Sequence, residues 1–145
     1  MSYLIDTNVL VRIVQPTNPH QGDANRALRS LRRRAESLIV IAQNLIEFWA
    51  VATRPAIHNG LGLTVDQTAM QITNLKSLFT LLPDTPEIFS EWERIVLQYR
   101  VSGKQAHDAR LVAAMSVHNL THLLTFNTND FKRFTTITAV DPQSL

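Results

Sequence analysis

"YLIDTNVLVRI", residues Tyr3 to Ile13, sets one Asp and one Asn inside an otherwise apolar run close to the start of the chain. Tyr3 to Asp6 reads as a short buried strand, and "TNVLVRIV" continues with apolar residues at helical spacing until Pro16 stops it. Asp6 therefore stands where a strand passes into a helix. In a parallel α/β sheet that corner lies at the carboxyl edge, where ligand sites collect.

The same alternation continues along the chain. "NPHQGDANRALRSLRRRAESL" reads as a helix entered through Asn18 and Pro19, with Ala24, Leu28, Leu31 and Ala35 on one face and arginines on the others. A strand follows at "LIVI", residues 38–41, then a helix in "NLIEFWAVAT" that ends before the loop marked by Pro55, Gly60 and Gly62. Thr64 is placed to cap a helix through about Leu78, and "TLLPDT" carries a third short strand. Thr85, Pro86 and Glu87 start the next helix, whose core face is Ile88, Trp92, Ile95, Val96 and Tyr99. Gly103 separates it from the alanine-rich "AHDARLVAAMSVHN". "HLLT", residues 122–125, is a fourth strand, "NTNDFKRF" a turn with a short helix, and "ITAV" a last strand. Short apolar strands between helices predict a three-layer α/β/α domain with a central parallel sheet, spanning 1–145 with no repeat or linker.

Composition bounds the chemistry. A chain of 145 residues, 45% hydrophobic and 18% charged, has the makeup of one soluble globular domain. No apolar run reaches the roughly 18–20 residues of a membrane span. The first strand begins too early for a secretory signal, so a cytoplasmic protein is expected. Without cysteine, thiolate catalysis, disulfides and thiolate zinc sites are excluded, and any metal must be held by oxygen or imidazole. His20, His58, His107, His118 and His122 lack ligand-type spacing, and neither a phosphate-binding glycine loop nor a serine nucleophile elbow occurs.

The acids remain, and each has an ordinary structural reading beside a functional one. Asp6 can cap the helix that starts at Thr7, with Thr7 and Asn8 either orienting its carboxylate or tying the corner together. Glu47 is the lone charge in "LIEFWAVA", a costly position for a carboxylate unless it is paired or binds a cation. Asn44 and Glu47 also have the spacing of a capping box. Asp108 can be a first-turn acid favoured by the helix dipole, and Asn127 with Asp130 can be a cap and its partner. Caps placed only for stability have no reason to gather at one sheet edge, and carboxylates gathered without a cation repel one another. A hard divalent cation held by a few carboxylates and waters resolves that repulsion.

"LIDTNVL", the isolated Glu in "NLIEFWAV", "HDARLVAAM" and "LLTFNTNDF" together resemble the PIN domain family, most closely its small VapC-type toxins, with the blocks in the family's order along nearly the whole chain. The resemblance implies an acidic Mg²⁺ or Mn²⁺ site that hydrolyses RNA phosphodiester bonds, a homodimer, and a cognate antitoxin protein. It assigns the catalytic acids to Asp6, Glu47 and Asp108, which would hold the metal, and the fourth position to Asn127, where many members carry Asp. The neutral oxygen of Asn127 weakens a second cation site, with Asp130 as a possible substitute and Thr7 and Asn8 in support.

RNA phosphates would meet the positive residues that flank the acids: Arg100, Lys104, Arg110, Lys132 and Arg133. Arg29, Arg32, Arg33 and Arg34 form a separate cluster, suited to RNA or to an acidic partner. Dimerisation is expected through the middle helices around Leu75, Leu78, Phe79 and Trp92. Two rival readings use the same residues: a catalytically weak or silent module that binds RNA or a protein, and a metal-dependent DNA nuclease.

Overall fold

The computed structural model describes residues 1–145. Its strands are β1 (Ser2–Ile5), β2 (Ser37–Ile41), β3 (Thr80–Leu82), β4 (His122–Leu124) and β5 (Thr138–Val140). They form one sheet in the order β3-β2-β1-β4-β5, with every neighbouring pair parallel. The helices are α1 (Thr7–Ile13), α2 (Gln21–Arg33), α3 (Ala42–Thr53), α4 (Val65–Leu78), α5 (Glu87–Gln98) and α6 (Gln105–Val117). A 3-10 turn at Thr128–Phe131 follows β4.

Period-two alternation divides the core between the faces of the sheet. Tyr3, Ile5, Leu38, Val40 and Leu124 point to one side, where Leu10, Leu28, Leu31, Phe48 and Leu75 of α1 to α4 cover them. Leu4, Ile39, Ile41 and Leu123 point to the other side, under Ile88 and Ile95 of α5, Leu111 and Met115 of α6, and Phe131 and Phe134. Both faces are buried, which is why the strands read as unbroken apolar runs.

Chain order explains which helices lie where. From β1 the sheet grows outward through β2 to β3, then the chain crosses back over β1 to place β4 on its other side. Crossovers keep one hand, so reversing the direction of growth moves the connecting helices to the opposite face. The reversal falls between β1 and β4, and this is the switch point at which an open parallel sheet parts its loops and makes a crevice.

Three predicted details are corrected. The second helix starts at Gln21 rather than at Asn18 and Pro19, because the Asn18 side chain accepts from the His20 amide at 2.8 Å and closes a turn before the helix. Helix α3 starts at Ala42, with Asn44 in its first turn accepting from the Ile41 amide at 2.9 Å. Glu47 is therefore not half of a capping box with Asn44. Ala35 is not on the buried face of α2 but exposed just beyond its end, at φ 58°.

The Ala35 geometry has an energetic consequence. The Ala35 amide donates to the Arg32 carbonyl at 2.9 Å and the Glu36 amide to the Leu31 carbonyl at 3.0 Å, a Schellman ending whose left-handed residue is ordinarily Gly. Ala35→Gly is expected to raise stability by about 0.5–1 kcal/mol, since the strain removed exceeds the added chain entropy. Urea denaturation would read this as a higher midpoint at unchanged slope.

Candidate active site at the sheet edge

Asp6 follows β1 and caps α1, extended at φ −69° and ψ 154°. Its amide donates to the Leu124 carbonyl at 3.0 Å, so it continues the β1–β4 ladder to the carboxyl edge. The side chain is only 7% exposed. One carboxylate oxygen accepts from the Thr7 amide at 2.7 Å; the other accepts from the Thr125 hydroxyl at 2.8 Å and from the Asn8 amide group at 3.4 Å. The cap reading is realised in one oxygen, while the other oxygen turns to Thr125 and Asn8.

Glu47 reaches the same corner from α3. Its Oε2 accepts from the Thr7 hydroxyl at 3.1 Å and its Oε1 from Gln43 Nε2 at 2.8 Å. Gln43 lies one helical turn earlier on the same face and is itself buried. Its amide nitrogen also donates to the His107 carbonyl at 2.8 Å, and its oxygen accepts from Arg110 Nη1 at 3.0 Å. Gln43 therefore ties α3 to the first turn of α6, from which half-buried Asp108 projects.

The fourth segment contributes differently from the prediction. Asn127 is exposed, and its side chain caps nothing. The inner position is taken by Thr125, fully buried, whose hydroxyl donates to Asp6 and accepts from Asn8 Nδ2 at 3.1 Å and from the Asn127 amide at 3.0 Å. Asp130 is exposed in the 3-10 turn, close enough for its charge to act on Asp108.

Electrostatically the corner is a concentration of like charge. Burial pushes the Asp6 carboxyl up to about 6; the Thr125 and Thr7 hydrogen bonds oppose this, and the charges of Glu47 and Asp108 add to it. Asp108 is also raised to about 6, by burial first and then by Asp130 and Glu47, with His107 pulling the other way. None of Asp6, Glu47, Asp108 and Asp130 has an ion-pair partner. Arg110, which reaches the corner through Gln43, is turned to Gln43 and, at 3.4 Å, to Asp84.

This donor set fits a hard divalent cation. It supplies oxygen ligands, excess negative charge and a pre-oriented buried carboxylate. No three acidic or imidazole side chains stand close enough to hold one ion jointly, so the fit is to one or two carboxylates with waters completing the shell rather than to an all-protein cage.

The raised acids make stability depend on pH. Asp6 keeps its proton up to about pH 6 in the folded chain, whereas it ionises near pH 4 when unfolded. The native state therefore binds more protons between those values, and stability falls as pH rises through the window. With chelator present, the protein is expected to be more stable at pH 5 than at pH 7.5, by about 1 kcal/mol from Asp6 and a smaller, solvent-screened amount from Asp108. Thermal melts at the two pH values check the sign; adding Mn²⁺ should narrow or reverse the difference.

Of the other basic residues expected to flank the acids, Lys104 immediately precedes α6, one turn before Asp108, and is exposed. Arg133 donates to the Tyr99 carbonyl at 3.4 Å, which puts it in one exposed patch with Arg100. Lys132, exposed, follows Asp130 by two residues. In the expected dimer region, Leu75 and Phe79 are buried core and offer no surface, whereas Leu78 is 48% exposed. Trp92 is half-buried, its indole N–H on the Ala106 carbonyl at 2.8 Å. No helix is long and apolar enough to cross a membrane.

The family model for the PIN domain matches residues 3–136. Comparison with curated proteins finds no match. Among solved structures, VapBC2 from Rickettsia felis, bound to a DNA fragment from its promoter, has a TM-score of 0.73 at 14% identity, covering 97% of this chain and 98% of that one. FitAcB from Neisseria gonorrhoeae gives 0.70 at 20% identity, covering 99% of both chains. Mycobacterium tuberculosis VapC20, a toxin that cleaves the sarcin-ricin loop, gives 0.67 at 15% identity, covering 91% and 95%. At these identities the likeness is one of fold.

Proposed function

Since the chain belongs to the PIN domain family, we propose that it is a divalent-metal-dependent endoribonuclease and the toxin of a toxin–antitoxin pair. The observation that carries this reading is the unpaired acid cluster: Asp6, Glu47, Asp108 and Asp130 come from four segments to one sheet edge, and none of them forms an ion pair. The similar solved structures include VapBC and FitAB complexes and a toxin that cuts the sarcin-ricin loop, which supports RNA as substrate and a protein antitoxin as partner.

Asp6 and Asp108 are the residues to hold Mg²⁺ or Mn²⁺, with Glu47 acting directly or through water. Such an ion supplies activation of a water for attack on phosphorus and neutralisation of phosphate charge. Asp6 is fixed by Thr7 and Thr125, so its ligand direction is set before any ion arrives. Thr7 gives its hydroxyl to Glu47 and its amide to Asp6, joining the two acids through one residue. Asp108, half-buried at the start of α6, keeps its carboxylate open to water. Asn127 adds a neutral oxygen at the rim and favours one tightly held ion over two. Lys104 and Arg110 on α6, with Lys132 and Arg133 beyond Asp130, lie in the segments that carry the acids and meet the phosphates there. The protein acts as a homodimer in the cytoplasm.

The test is cleavage of RNA and DNA of one single-stranded sequence, with Mg²⁺, with Mn²⁺ and with chelator. Cutting of RNA alone, only with metal, is the expected result. Cutting of DNA would identify a DNA nuclease, and binding without cutting would identify the silent module.

A further inference from the structure

Beside the acids, across Gln43, lies a second feature that metal chemistry leaves unused. A cavity of about 380 Å³ opens between α5 and the start of α6, lined by the apolar Ile88, Phe89 and Trp92 and by the polar Thr85, His107 and Arg110. Phe89 is 63% exposed and is the one aromatic ring among the large exposed apolar side chains of the chain. It stacks on Trp92 with centroids 5.6 Å apart and planes 30° from parallel, and the Trp92 N–H bond to Ala106 braces the pair against α6. The cavity and the acids share a wall: Gln43 Nε2 donates to Glu47 and to the His107 carbonyl while its oxygen accepts from Arg110, and His107 is next in the chain to Asp108.

We infer that this cavity receives one unstacked base of a single-stranded RNA whose adjoining phosphate lies at the acids, an inference that rests on the nuclease reading above. An aromatic face with a cationic rim is the arrangement that takes a base and its phosphate: the ring stacks on the π-face that every base presents, and the guanidinium meets the backbone. Arg110 keeps one nitrogen on Gln43 at 3.0 Å, and the other, whose pairing with Asp84 at 3.4 Å is a partly exposed one of the kind that stabilises little, can turn to a phosphate. A metal alone has no use for the aromatic lining. Stacking reads little sequence, so the cavity fixes the register of the strand and selects unpaired RNA.

The experiment uses Phe89→Ala in the full chain, a change at an exposed ring that leaves the melting temperature in place. In an Asp6→Asn background that does not cut, a labelled single-stranded oligoribonucleotide is titrated by anisotropy, together with versions carrying one abasic site walked along the strand. Phe89→Ala should weaken binding of the intact strand about tenfold, or about 1.4 kcal/mol. One abasic position should weaken the parent by the same factor, with Phe89→Ala adding nothing there. Equal affinity of the two proteins for every strand overturns the inference, as does loss of a dimer on Phe89→Ala with RNA affinity unchanged, which would make the cavity a surface for a second copy. Wild-type cleavage separates this from the nuclease reading: metal-dependent cutting unaffected by Phe89→Ala removes the base cavity alone, whereas no cutting with coincident abasic and Phe89→Ala losses keeps the cavity and removes the nuclease.

Discussion

Asp6→Asn is expected to abolish metal-dependent RNA cleavage, by a thousandfold or more, while the purified protein melts no lower than wild type at pH 7.5. The two halves have one cause. Asp6 is a carboxylate 7% exposed, next to two other acids and without a cation of the protein to pair with. Its ionisation is a cost to the fold that the Thr7 and Thr125 hydrogen bonds offset only in part, and the neutral amide removes that cost together with the ligand. The helix cap survives, because an Asn oxygen still accepts from the Thr7 amide; the Thr125 hydroxyl, which already accepts from Asn8 and the Asn127 amide, loses its acceptor, a loss that relief of the buried charge offsets. Asp108→Asn should lose activity to a similar degree with a smaller gain in stability, since Asp108 is only half-buried. Cleavage assays paired with thermal melts check both; a variant that unfolds instead would show that Asp6 serves the helix cap more than the site.

Thr125→Val is expected to cost stability and activity together. The valine keeps the shape of the side chain and deletes one hydroxyl that serves three partners: Asp6, Asn8 and the Asn127 amide. The Asp6 carboxylate loses a hydrogen bond worth about 1.5–3 kcal/mol, as for a charged acceptor. Asn8 is left with the longer contact to Asp6, at 3.4 Å. A drop of about 2–3 kcal/mol follows, equivalent to ~4–12 °C in melting temperature for a chain of this size. Cleavage should fall about 10- to 100-fold as Asp6 loses its fixed direction. Thr125→Ser restores the hydroxyl and should recover most of both losses. Retained stability with retained cleavage in Thr125→Val would show that the Asp6 direction is set by Thr7 alone.

Asp6 was readable because it sits where an apolar run changes period from two to 3.6, and the strands around it were readable as short apolar runs in an α/β alternation. Thr125 was not, although "LLTFNTNDF" contains it. Its place beside Asp6 follows from the β1–β4 register, Ile5 opposite Leu124, which no local pattern states. The local pattern points instead to Asn127, the polar residue two positions on, whose side chain is exposed. Gln43 carries a local signal: it stands four residues before Glu47, on the same helical face. The capping box predicted from Asn44 and Glu47 failed because β2 runs through Ile41 straight into the helix, which moves the helix start back by two residues. Leu75 and Phe79 marked a dimer surface only while the sheet face beneath α4 was unknown; Leu75, packed against β1 and β2 in one core, belongs to the interior.

A titration of metal-free protein with Mn²⁺ near pH 6, following heat and released protons for wild type and Asp6→Asn, tests the claim that the acid cluster holds a divalent cation. The account predicts saturable binding by the wild type with proton release, because the raised carboxyls must give up their protons to become ligands, and loss of both signals in Asp6→Asn. Equal binding by the two proteins, or none by a folded wild type, would contradict it.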